Sequence, residues 1–205
     1  AQSNMVGTHD INSFPKSKNE IPIVLLGDRG YGLSVEKGIF EQRRILIPKL
    51  IGFDDVSVYS IDTAIEDSDV SEVEEEKLIA YDFLRGLDCF SGSVYHVQSR
   101  MAFGSCSEES KVAEDKAYTN LILQKIFEKL MPGGSLCCTI GSRYTGRLTK
   151  PLQDMGINAQ VLEIPKAHDY VYWEKRHKSI AMVIAYKPGE AKIPFKKELD
   201  EILLT

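Results

Sequence analysis

The stretch from Asp115 to Lys187 constrains this chain most, because it reads as one unbroken order: amphipathic helix, Pro-Gly-Gly turn, apolar strand, polar segment, strand, link and final strand. Asp115 to Met131 sets Tyr118, Leu121, Ile122, Ile126, Phe127 and Leu130 at i, i+3, i+4 spacings, the apolar stripe of a helix that lies on a sheet. Pro132-Gly133-Gly134 ends that helix, since proline cannot continue the ladder and glycine accepts positive φ in the turn. Ser135 to Ile140 is then a short apolar run of the kind found in strands covered on both faces. Two more β-prone runs follow, Gln160 to Ile164 and Ser179 to Tyr186, separated by the long link Pro165 to Lys178. A single α/β domain is the expectation, and 205 residues with 43% hydrophobic side chains suffice to bury its core.

The amino-terminal half supplies the candidate ligand-binding turns. Residues 1–20 are polar and interrupted by Pro15, which predicts an extended arm outside the core; the domain proper runs over residues 21–187. Ile21 to Leu26 is a strand with proline tolerated near its start, and it runs directly into Gly27-Asp28-Arg29-Gly30-Tyr31-Gly32. A helix is expected from the N-cap Ser34 through Ile39 and Phe40 toward Ile47, where Pro48 breaks it. A strand, a glycine turn and a helix in that order let the backbone approach a nucleotide closely. The spacing fits neither the G-x-G-x-x-G dinucleotide fingerprint nor a P-loop, which weighs against NAD or ATP; a tight turn without a ligand is the plain alternative. Asp55 to Asp62 alternates as a strand and closes on a carboxylate, and one carboxylate can accept both ribose hydroxyls. Asp62 is therefore the candidate ribose ligand, or else a strand-terminal Asp that starts a turn. The acids from Glu66 to Glu76 read as a solvated loop and helix start, with the helix continuing through Leu78, Ile79, Tyr81, Asp82 and Leu84 to Gly86. The fourth strand is Ser93 to Gln98.

Lys129-Leu-Met-Pro-Gly-Gly-Ser-Leu136 resembles the helix-to-fifth-strand corner of class I S-adenosylmethionine-dependent methyltransferases. The resemblance implies a Rossmann-like α/β sheet, mostly parallel, with helices on both faces and an antiparallel last strand inserted between strands five and six. It implies S-adenosylmethionine as cofactor, with Gly27, Asp28, Gly30, Tyr31 and Gly32 in the first family motif and Asp62 at the ribose. Gly86-Leu87-Asp88-Cys89 is similar to the third motif, which implies Asp88 as the acid at the adenine amino group, with an ordinary loop Asp as the commoner alternative. The viral and FtsJ-like ribose 2′-O-methyltransferases are the nearest pattern, but their Lys-Asp-Lys-Glu tetrad would fall near Ser99, Thr139 and Glu163 or Glu174, so at least two of its four members are missing. Without that lysine of lowered pKa, its way of activating a 2′-hydroxyl is not on offer, and no catalytic residue is named. Two readings follow: a methyltransferase that works mainly by positioning its acceptor, or an inactive domain of the same shape serving as an RNA- or protein-binding platform. An NAD-linked oxidoreductase is disfavoured by the glycine spacing and by the antiparallel last strand.

Candidate acceptor contacts are Gln98 and Arg100 at the fourth strand's end, Arg143, Tyr144 and Arg147 in the segment after the fifth, and Trp173 in the long link. Arginines interleaved with aromatics suit phosphate contact plus base stacking, so RNA is the expected partner, with other protein domains also open. Ordinary surface arginines and a solvated hairpin are the competing explanations. A net charge of −5 excludes a uniformly basic surface but not a local basic patch. The four histidines show no metal-binding spacing, so no metal is expected; Cys137-Cys138 reads as core. No run approaches the roughly 18 apolar residues of a membrane span, no signal-peptide pattern opens the chain, and no CxxC pair occurs, which together predict a reduced, cytoplasmic location. Residues 188–205 alternate charge with Ile193, Phe195, Leu199, Ile202 and Leu203, a tail or closing helix.

Overall fold

The computed structural model describes residues 9–17, 20–27, 56–63, 77–100, 103, 116–163 and 180–189. Seven strands form one sheet: β1 (Ile21–Leu26), β2 (Val56–Ile61), β3 (Leu78–Ile79), β4 (Val94–Arg100), β5 (Leu130–Gly141), β6 (Ala159–Glu163) and β7 (Ile180–Tyr186). Their order across the sheet is β3-β2-β1-β4-β5-β7-β6. The first five run parallel, whereas β7 lies antiparallel between β5 and β6, where the sequence placed the last strand. The order in which strands are added reverses between β1 and β4, the switch point at which open α/β sheets leave a crevice at their carboxyl edge.

Three described helices, α1 (Phe83–Asp88), α2 (Lys116–Lys129) and α3 (Gly146–Asp154), pack on one face. There Leu87 of α1, Ile122, Leu123 and Ile126 of α2 and Leu148 and Leu152 of α3 share a core with Val24, Leu26, Ile61, Val97, Leu136, Cys138 and Val183 of the sheet. Each fully buried aliphatic side chain in this set contributes about 1.5–3 kcal/mol. Leu121, expected on the α2 stripe, is 51% exposed. The buried set is Thr119, Ile122, Leu123, Ile126, Phe127 and Lys129, and at 100° per residue Leu121 falls on the far side of Ile122 from its centre. The opposite sheet face is buried too and more polar, carrying Ile23, Val58, Met182 and Ile184 together with Ser60, His96, Gln98, Ser135 and Thr139.

Three expectations change. The helix expected over residues 78–86 is instead a two-residue strand followed by α1, because Leu78 and Ile79 are wholly buried as the sheet's edge strand beside Ser60 and Ile61. The polar arm is not outside the core where residues 9–17 are concerned. Phe14 is 1% exposed, bridges Phe90, donates its N–H to Cys89 and packs 4.6 Å from the Tyr59 ring centroid. One aromatic burial with paired backbone outweighs the segment's polar composition. Third, α2 ends at Lys129 and β5 begins at once, so Pro132-Gly133-Gly134 forms an irregularity inside β5 rather than a helix stop. Gly133 sits at φ 79°, and a Cβ on Gly134 would lie 2.9 Å from the Met131 carbonyl oxygen and 3.0 Å from that of Tyr95.

Candidate functional site

The carboxyl edge of the parallel strands gathers the site. Leu26 and Ile61 are register partners at the ends of β1 and β2. Beyond them Gly27, at φ 73°, donates its N–H to the Ile61 carbonyl at 2.9 Å, so Gly27 and Asp62 stand side by side. Asp62 is in turn fixed by its own N–H, which donates to the Ile79 carbonyl at the end of β3 at 3.1 Å. Three strand ends are thus tied together by backbone bonds, and the half-buried Asp62 carboxylate is carried on that frame.

The acid that follows β3 is Asp82, not Asp88. Asp82 is exposed, and its Oδ1 accepts from the Arg85 N–H at 3.0 Å to cap α1. Around it are aromatic groups. Phe83 packs 6.2 Å from the buried Phe103, and the Tyr118 hydroxyl is hydrogen-bonded to the Phe83 backbone. Burial pushes the Tyr118 phenol up and the Asp82 charge adds to that. Sequence reasoning missed Asp82 because a two-residue strand has no periodicity to reveal it. Asp88 lies at the other end of α1, paired with Lys125 at 2.8 Å and 4.0 Å from the Lys129 ammonium, beside the start of β5. It is not brought together with Gly27 and Asp62.

On β4, Gln98 is buried and faces away from the edge chemistry. Its Oε1 lies 3.4 Å from His96 Nε2, while His96 Nδ1 is 2.7 Å from the Ser135 hydroxyl. Full burial lowers the His96 pKa to about 4, with the two hydrogen bonds opposing that shift, so the imidazole is neutral. Ser99 is register partner to Leu26, and its hydroxyl is buried without a hydrogen-bond partner among the described residues. Arg100 is the last residue of β4, opposite Thr139.

After β5 the chain makes a single 3-10 turn, Ser142–Tyr144, and then enters α3. The Ser142 hydroxyl donates to Glu163 Oε2 at 2.7 Å, tying the end of β5 to that of β6. The guanidinium carbons of Arg143 and Arg147 lie 4.6 and 4.3 Å from the Tyr144 ring centroid. The three residues expected to meet a substrate here do come together, but the ring supports guanidinium groups. Asp28, Gly30, Tyr31, Gly32 and Trp173 lie outside the described residues, as do the expected helix from Ser34, the acidic tract, the long link and the tail beyond Gly189. Among the described residues no three His, Cys, Asp or Glu side chains cluster as a metal site, and no helix is long and apolar enough to cross a membrane.

No protein-family profile matches the chain, and no curated protein sequence does either. Solved structures match it in fold. One, from Galdieria sulphuraria and provisionally described as a sarcosine dimethylglycine methyltransferase, aligns at a TM-score of 0.54 and 14% identity over 84% of this chain and 79% of its own. The N-methyltransferase NodS from Bradyrhizobium japonicum WM9 aligns at 0.50 and 11% identity over 82% of this chain and 86% of its own. The sheet order and these neighbours make the fold the Rossmann-like α/β fold of class I methyltransferases.

Proposed function

We propose that this chain is an S-adenosylmethionine-dependent methyltransferase that acts on RNA. The observation that carries the reading is the Gly27 N–H bond to the Ile61 carbonyl, which sets Gly27 beside Asp62 at the ends of β1 and β2, next to the point where the strand order reverses. A glycine of positive φ beside a strand-terminal carboxylate is what a nucleoside needs: close backbone approach on one side, and an acceptor for two hydroxyls on the other. The residues present fit the cofactor. Asp62 would take the ribose hydroxyls, and the exposed Asp82 with Phe83 and Tyr118 would hold an adenine by its amino group and faces. Ser99, a buried hydroxyl unpartnered among the described residues, suits a polar ligand at the same edge. S-adenosylmethionine, when bound, supplies an electrophilic methyl group on a sulfonium.

The chain's own contribution is then positioning rather than proton abstraction. Ser99 and Thr139 stand where the ribose-methylating pattern has an acid and a lysine, so a hydroxyl acceptor lacks its activating base. A base nitrogen with a free lone pair needs mainly alignment with the methyl group, and alignment is what a rigid strand edge provides. Arg143 and Arg147, held on Tyr144 immediately after β5, support RNA as the acceptor class. The test is transfer of isotope-labelled methyl from S-adenosylmethionine to RNA, followed by digestion to nucleosides. Label in a base-modified nucleoside, lost in Asp62→Ala, is the expected result. A folded chain that binds the cofactor product yet transfers no label would be the inactive platform instead.

A further inference from the structure

We propose that the cleft between α2 and α3 is a track for the phosphate backbone of single-stranded RNA, gripped by charge and blind to base identity. This rests on the RNA reading above but assigns it a surface of its own. The cleft has a volume of about 280 Å³ and is lined by Lys116 and Asn120 from the first turns of α2 and by Gly146, Arg147 and Lys150 from the start of α3, with Asp154 at its far end. Lys116, Asn120 and Lys150 are exposed and Arg147 is half-buried. Among the described residues, none of Lys116, Arg143, Arg147 and Lys150 is ion-paired. Three cations against the single carboxylate of Asp154 leave the lining of this cleft net positive on a chain of net charge −5, and a local excess of that sign attracts a polyanion. Gly146 and Arg147 open α3, whose amino end adds its partial positive charge at that end of the cleft.

The recognition is of backbone rather than of bases for a geometric reason. Among the described residues no aromatic ring lines the cleft, and the neighbouring Tyr144 already lies under the guanidinium groups of Arg143 and Arg147, which fixes those forks and leaves the ring engaged. Held arginines and flexible lysines contact phosphates whatever the sequence. One end of the cleft is set by the start of α3, which follows the carboxyl end of β5 by a single turn.

Gly146 gives the sharpest test. A Cβ there meets nothing within 4 Å, so Gly146→Glu puts a carboxylate in the cleft without a clash, and an acid in a helix's first turn does not weaken the helix. The probe is a fluorescent oligouridylate read by anisotropy over a salt series, with thermal melting and S-adenosylhomocysteine calorimetry on the same samples. For the wild-type chain, log affinity should fall with log salt with a slope of about −2, from three lining cations at roughly 0.7 each on single strands. Lys150→Ala should lower that slope by about 0.7, and Gly146→Glu should weaken binding roughly tenfold or more, with melting and cofactor-product binding unchanged. Oligomers of other base composition should bind alike. RNA binding that neither substitution alters overturns the cleft while leaving RNA as substrate; binding confined to one base sequence overturns the backbone track. A folded wild-type chain that binds no RNA at low salt removes both the cleft and the RNA acceptor, and the calorimetry then shows whether the cofactor reading survives.

Discussion

Gly27 donates its backbone N–H to the carbonyl of Ile61 at 2.9 Å, and that bond joins the first residue past β1 to the last residue of β2. It brings a positive-φ glycine level with Asp62. A β-branched residue in that conformation is strained by about 1–2 kcal/mol. Gly27→Val should therefore lower stability by about that much in urea unfolding and weaken S-adenosylhomocysteine binding beyond it, because a side chain enters the space where the ligand approaches.

Gly86 holds α1 against β2. A Cβ built there would lie 2.3 Å from Ile61 Cγ2. Gly86→Ala should cost about 1–3 kcal/mol through overpacking, despite alanine's better helix propensity. The penalty should shrink in an Ile61→Ala background, and a double-mutant cycle by chemical unfolding reads that coupling.

His96 makes stability depend on pH. Its folded pKa, about 4, is below the unfolded value near 6.5, so the unfolded chain binds the extra proton between those limits. Stability should be full above about pH 6.5 and decline as pH falls toward 4. The gap corresponds to roughly 3 kcal/mol for this one buried group. Urea midpoints across that range should lose this part of their slope in His96→Gln.

Asp88 and Asp82 separate two assignments of the adenine acid. Asp88 pairs with Lys125 at partly exposed positions, so Asp88→Ala should cost about 0.2–1 kcal/mol and leave S-adenosylhomocysteine affinity unchanged. Asp82→Asn, which keeps a capping oxygen for the Arg85 N–H, should weaken that affinity while barely moving the melting temperature.

What the sequence disclosed follows from signal strength. β1 was legible to the residue and β6 and β7 to within one, because apolar runs of that length have few other folds, whereas only the second half of β5 was, since Pro132-Gly133-Gly134 reads as a helix stop and hides its start at Leu130. The position of Asp62 just past the end of β2 was legible by the same logic, as an acid ending an alternating run. β3 was not, since two residues carry no period, and its neighbours Tyr81 to Leu84 imitate a helix that in fact starts at Phe83. Phe14 was hidden by the polar residues around it, although its burial needs only one side chain. The cleft between α2 and α3 has no sequence signature at all. Lys116 and Lys150 are ordinary surface lysines until packing of the two helices on one sheet face sets them across a common opening.

Calorimetric titration of the chain with S-adenosylhomocysteine, with NAD as control, tests the central claim most directly. The account predicts saturable binding of the homocysteine analogue, no binding of NAD, and loss of the signal in an Asp62→Ala chain that melts like the wild type. A folded wild-type chain that gives no heat with S-adenosylhomocysteine, or an Asp62→Ala chain that binds it undiminished, would contradict it.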